Sequence, residues 1–251
     1  MAVRHALTTD AESSETVYRM LRNRIMTCEL RPGQWLTERR IAVEFGLGLP
    51  PARQALTRLI RDGLVQQMPP HAYRITPLTL QSADDLFTAW AMLGPEMAAL
   101  GTSQADPKQA AELRRLIVDG NAVIAGPLDR DSIARFIDIT EQGFDLLAVA
   151  SRNDRLIEVY RSLAGEMWRV LTLILHAAGS VDTLLDAGVS WDSTFDRRDG
   201  LMATRIFRHV ATATRASAMD VLGDCPKIGD NVVVPLGRRA PATPHGPAGP
   251  A

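Results

Sequence analysis

Cysteine is nearly absent: Cys28 and Cys225 are the two in 251 residues. Two thiols so far apart make neither a disulfide framework nor a paired metal motif, and they suit a reducing compartment. No apolar run nears the ~20 residues that span a bilayer. The opening MAVRHALTTDAESS lacks the apolar h-region of a secretory signal. A cytoplasmic chain with no membrane partner is therefore expected. His-Glu-x-x-His, Gly-x-Ser-x-Gly and a phosphate-cradling glycine loop are all missing, so an enzymatic reading has no motif behind it.

What is present is globular: 46% apolar, 23% charged, with a formal net charge of -1. That is enough chain for one large or two small domains. The balance hides an asymmetry. From Glu15 to Pro77 there are ten arginines, no lysine and five acids, which leaves this segment at +5 and the rest of the chain at -6. A basic segment on an acidic remainder suggests a polyanion-binding head on a body with another task. A solvated arginine face is the plainer alternative.

The head reads as helix, turn, helix, helix, hairpin. A first helix is expected over about Glu15 to Thr27, with Val17, Leu21 and Ile25 on one face. Pro32-Gly33 marks a bend. Thr37 can cap a second helix, Glu38 to Phe45, which stops at Gly46. A third begins at Pro50-Pro51, since proline is tolerated in the first helical turn. Its apolar stripe is Ala52, Ala55, Leu56, Leu59 and Ile60, which turns Arg53, Gln54, Thr57, Arg58 and Arg61 outward. LVQQM and YRITP, flanking PPHA, form a plausible two-stranded wing.

From Thr79 the pattern is helical throughout. Leu86, Trp90, Leu93, Met97 and Leu100 mark one seam, and Asp106-Pro107 opens a helix to about Val123. Ile133, Phe136, Ile137, Phe144 and Leu147 mark a third seam, and Leu156, Tyr160, Leu163, Met167, Leu171 and Ile174 a fourth. Two more helices are expected within Ser193 to Leu222. These seams are core first and pocket second. The tail from Cys225 has six prolines in 27 residues and is expected to be mostly disordered. The fold class is therefore mainly α: a winged helix-turn-helix with a small β-wing, then an all-α antiparallel helical bundle. The expected divisions are 1–14, a flexible N-terminus; 15–78, the head; 79–224, an effector-binding and dimerisation body; and 225–251, the tail.

The stretch from Val17 to Val65 resembles the winged helix-turn-helix of GntR-type bacterial repressors. The matches are Leu30, Pro32, Gly33 and Leu36; Glu38 and Ala42; Gly46, Pro51, Arg53, Ala55 and Leu56; then Leu59 and Gly63-Leu64-Val65. The body is similar to the FadR-type (FCD) effector domain, where FDLLAVASRNDRL follows the family's FH..L...SGN..L in outline. The resemblance runs from about Glu15 to Leu222. It implies that the third head helix lies in the major groove and the wing reaches the minor groove. Arg53 and Arg39 then map onto DNA-contacting arginines, with Gln54, Thr57 and Arg58 beside them and His71 and Arg74 at the wing. Double-stranded DNA, a homodimer partner and a small-molecule effector, either an organic acid or a cation, are implied with it.

The chain departs from the family pattern at informative places. Gly48 stands where a hydroxyl caps the recognition helix, Leu49 where an arginine reads a base, and Pro50 where another hydroxyl stands. A lost bidentate contact removes ~1–3 kcal/mol of base discrimination. Cys28 replaces the glycine closing the first helix, and Ala72 the wing glycine. Many FCD domains hold a divalent metal with an Asp, a His one turn on, and two later histidines. Here Glu141 and Asp145 take the first pair, and Asp199 (or Asp196) and Asp220 fall near the later positions, with no histidine among them. Carboxylates sharing a pocket repel unless a cation or protons neutralise them. The readings are a decayed metal site, a hard divalent cation or an organic cation, and retained transition-metal binding. Arg135, Arg161 and Arg169 offer a carboxylate effector an alternative partner. Two competitors to a ligand-responsive regulator remain: an acid-cluster hydrolase, and a dimeric metabolite- or cation-binding protein whose head no longer reads DNA specifically.

Overall fold

The computed structural model describes residues 10–69, 72–178, 194–195 and 197–223, and the short strands at 227–228 and 231–232. The head comprises α1 (Asp10–Met26), β1 (Trp35–Leu36), α2 (Glu38–Phe45), α3 (Leu49–Arg61), β2 (Val65–Met68) and β3 (Ala72–Ile75). Local chemistry sets the bounds of α2. Thr37 accepts a hydrogen bond from the Arg40 backbone N–H at 3.2 Å, and Gly46 closes the helix at φ 65. In α3, Pro51, Ala52, Ala55, Leu56 and Leu59 form the buried stripe. The strands lie in the order β1-β3-β2, all antiparallel, with Val65 opposite Ile75 and Trp35 opposite Arg74.

The body is five helices among the described residues: α4 (Leu80–Gln104), α5 (Pro107–Ile124), α6 (Arg130–Ala150), α7 (Asp154–Ala178) and α8 (Gly200–Gly223). Their N-termini carry side-chain caps. Thr79 with Ser82 and Asp106 with Gln109 form capping boxes, and Asp129 accepts from the Ser132 N–H. α8 packs along α4, α5 on α6, and α6 on α7. One continuous core runs from Val17 in α1 to Leu222 in α8.

Two expectations change. α1 begins at Asp10 rather than Glu15, and Ser13 and Ser14 in its added turn are buried. Within the stretch expected to hold two helices, the described residues show the helical pair Thr194 and Phe195 and an unbroken helix from Gly200 onward. The expected disordered tail includes a short ladder, β4 (Lys227–Ile228) paired with β5 (Asn231–Val232).

Candidate DNA-reading face and body cavity

The outward face of α3 carries Arg53, Gln54 and Thr57, all exposed. Arg53 is oriented rather than loose. Its Nε and Nη2 donate to the two carboxylate oxygens of Glu38, at 3.0 and 2.9 Å. The Tyr73 hydroxyl donates to the same carboxylate at 2.6 Å. Burial, then the Glu38 bond, pushes that phenol up to about 12, so it stays protonated and keeps donating. One carboxylate thus ties α2, α3 and β3 together around Arg53, whose side chain remains 63% exposed. A fork held this way loses little freedom on meeting a phosphate or a guanine edge. Sequence reasoning matched Glu38 to the family without seeing this role, and it missed Tyr73; the pairing spans 15 and 35 residues.

The other expected contacts divide. Arg39 and Arg40 are exposed on α2. Thr57 lends its hydroxyl to the Arg53 carbonyl at 2.9 Å, an ordinary one-turn bond within the helix. Arg58 does not share this face: it pairs with Glu15 and lies 3.8 Å over the Tyr18 ring, against α1. Arg74 is half-buried on β3, its Nε 3.4 Å from the Gly33 carbonyl and its guanidinium 5.8 Å over Trp35. His71 lies outside the described residues. At the tip of α3, Gly48 provides no side-chain cap and Leu49 is 46% exposed, so the apolar departure faces outward.

The four acids expected to share a pocket do not converge: Glu141 and Asp145 are neighbours on α6, while Asp199 and Asp220 stand toward opposite ends of α8. Glu141 is ion-paired with Arg22 of α1, which joins body to head. Burial raises the Glu141 carboxyl above its usual range, and Arg22 pulls back against that rise. Asp145 is exposed. Asp199 accepts from the Met202 N–H at 2.9 Å and so caps α8. Asp220 is exposed near the end of the same helix. Among the described residues, no three His, Cys, Asp or Glu side chains are grouped to hold a metal ion. The described residues do not fit the metal centre implied by the family. Asp196 lies outside the described residues.

The body instead holds a partly open apolar cavity of about 180 Å³ between α4, α5, α6, α7 and α8. Its walls include Phe87 and Trp90 from α4, Phe136 and Phe144 from α6, Trp168 from α7 and Phe207 from α8. Phe144 is the hub of these rings. It stacks on Trp90 at 5.8 Å and meets Trp168 edge-on at 4.9 Å and Phe207 at 5.1 Å, spacings at which aromatic pairs attract. Trp90 and Phe144 were legible as seam residues; Trp168 and Phe207 were not singled out.

Two family models match the chain: bacterial regulatory proteins of the gntR family over residues 13–74, and the FCD domain over residues 85–212. The chain belongs to the GntR family. It is a helix-turn-helix transcription regulator with an FCD body. It is 24% identical over 139 residues to the Bacillus subtilis regulator YdhC, covering 55% of this chain and 61% of that one. It is 20% identical over 200 residues to the Escherichia coli repressor RspR, covering 80% and 86%. The solved structure of E. coli McbR/YncC shares the fold, with a TM-score of 0.67 at 18% identity, over 83% of this chain and 97% of that one.

Proposed function

We propose that this regulator is a homodimeric repressor that binds a double-stranded operator through α3 and releases it when a small molecule occupies the body cavity. The observation that carries the reading is Arg53, exposed on the recognition helix yet held by two bonds to Glu38. Two heads in a dimer meet half-sites roughly 34 Å apart, one helical turn of DNA. The repressor name of RspR supports the sign of regulation. The bare cap at Gly48 and the apolar Leu49 remove two of the family's reading groups, so the operator differs from the usual one.

The test is fluorescence anisotropy of the full chain against tiled duplexes from its own upstream region, at two salt concentrations, with scrambled DNA alongside. One tile is bound far more tightly than scrambled DNA. Arg53→Ala weakens that tile by about ten- to a hundredfold and, if the contact is to phosphate, lowers the salt slope by about 1. Equal, weak, salt-sensitive binding to every tile would overturn the sequence-specific reading and favour a head that no longer discriminates. Sedimentation equilibrium reads the dimer.

A further inference from the structure

Resting on the reading of the body as the effector site, we propose that the cavity takes an uncharged, mainly apolar ring compound of about benzene to indole size. This departs from the acid, cation or metal that the sequence suggested.

Three observations carry it. Among the described residues, the lining holds no charged side chain. Its polar members are Asn121, Thr140 and Thr214, together with the indole N–H groups of Trp90 and Trp168, the latter buried with no hydrogen-bond partner. Both threonines already donate to carbonyls one turn back, Thr140 to Phe136 at 2.7 Å and Thr214 to Val210 at 2.8 Å. Asn121 is exposed and so lies at the rim. A carboxylate or phosphate entering this space would shed water with no cation to meet it, which is strongly unfavourable. The second observation is the ring cluster around Phe144, which offers faces and edges at stacking distance. The third is size: about 180 Å³ is close to the engineered apolar cavity of roughly 150 Å³ that admits benzene. A single carbonyl or hydroxyl on the ligand has Asn121 within the lining as its partner.

Gly143 of α6 lines the same space, and a Cβ built there meets no atom within 4 Å. A side chain begun at this position therefore starts into open space, and leucine is the substitution chosen to fill it.

The experiment titrates the full chain with indole, toluene, benzoate and citrate, followed by intrinsic tryptophan fluorescence and calorimetry. Trp90 and Trp168 in the wall report occupancy. Indole or toluene is expected to bind saturably, benzoate at least tenfold more weakly although it carries the same ring, and citrate not at all. Gly143→Leu abolishes the indole signal while circular dichroism stays as in the parent. Tighter binding of benzoate or citrate than of either neutral ring compound overturns the proposal, and so does no binding of either up to its solubility. The ligand comparison on the parent chain stands even if Gly143→Leu fails to fold. Operator anisotropy in parallel separates the two readings. Neutral rings that bind without changing DNA affinity sink the effector role and leave the ligand class standing. A charged compound that shifts DNA affinity, with no ring compound bound, sinks the ligand class alone.

Discussion

Gly101 of α4 and Gly143 of α6, replaced in turn by alanine, should move stability in opposite directions. Each replacement brings the same intrinsic helix gain, about 1 kcal/mol. The surroundings decide the rest. A Cβ at Gly101 would fall onto the Leu147 carbonyl oxygen and stand 3.1 Å from both its carbonyl carbon and its Cδ2. Two of those atoms are α6 backbone, which cannot rotate out of the way, so the helices must part. Overpacking costs about 1–3 kcal/mol, and a backbone clash belongs at the upper end, for a net loss of about 2 kcal/mol. At Gly143 the new methyl meets nothing, and the gain of about 1 kcal/mol stands. The two variants therefore differ by about 3 kcal/mol, or about 6–12 °C in Tm for a chain of this size. Urea unfolding with a common m-value gives the free energies, and calorimetry the melting points. A Gly101→Ala protein as stable as Gly143→Ala would refute the close approach of α4 to α6 that frames the cavity.

Two further outcomes follow from backbone conformation and burial. Arg152 is exposed and left-handed at φ 51, a region that costs a side-chain-bearing residue about 1–2 kcal/mol. Arg152→Gly should stabilise the chain by about 0.5–1 kcal/mol in urea titration, after glycine's own entropy is subtracted; a loss would mean the arginine makes a contact worth more than the strain. Cys28 is also left-handed, at φ 54, but only 1% exposed, and burial pushes its thiol up to about 11 against the opposing charge of Arg169. A folded pKa above the unfolded one means the contribution to stability is complete below the unfolded pKa and is lost as pH rises toward 11. In a Cys225→Ser background, Ellman's reagent at pH 8 should therefore modify Cys28 no faster than the chain opens, and prompt modification would contradict its burial.

Legibility in the sequence tracks how local each interaction is. Thr37 and Gly46 bound α2 because a cap and a left-handed stop act within a turn of the residues that encode them. The wing and the body seams follow from periodicity alone. Cys28, standing where the family has glycine, keeps the glycine-like backbone, so the resemblance located a conformation that the residue itself hides. Periodicity says which side of a helix faces in, but not where the facing sides fail to fill the space, so the cavity and its rings around Phe144 were out of reach. The acids illustrate the converse. Glu141 was placed by analogy with a ligand set, and its partner Arg22 lies 119 residues away on another helix. Asp199 was placed the same way, although an Asp three residues before a backbone N–H at a helix start is read most simply as a cap.

α7 joins cavity to head alongside α6, whose Glu141 pairs with Arg22 of the head. Met167, Trp168 and Leu171 face the cavity, while Gly165 lies under Leu64 and Asp62 of the head. Between them Arg169 is fully buried. Its Nη2 donates to the Thr76 carbonyl at 2.5 Å, in the link between wing and body, and its Nε and Nη1 have no partner. Burial pulls its guanidinium below the ordinary arginine value, with Glu166 offsetting that only across space. A charge so poorly compensated adds little net stability, because its desolvation cancels the one strong bond it makes. Arg169→Met keeps most of the packing volume, and its unfolding free energy should stay within about 1 kcal/mol of the parent. The tether to Thr76 is lost all the same, so amide exchange at Thr79 and Leu80, where the link runs into α4, should speed up while the core of α7 stays protected. A loss of several kcal/mol with unchanged exchange at the link would mean that Arg169 is a fully satisfied structural charge and that the link is held independently of it.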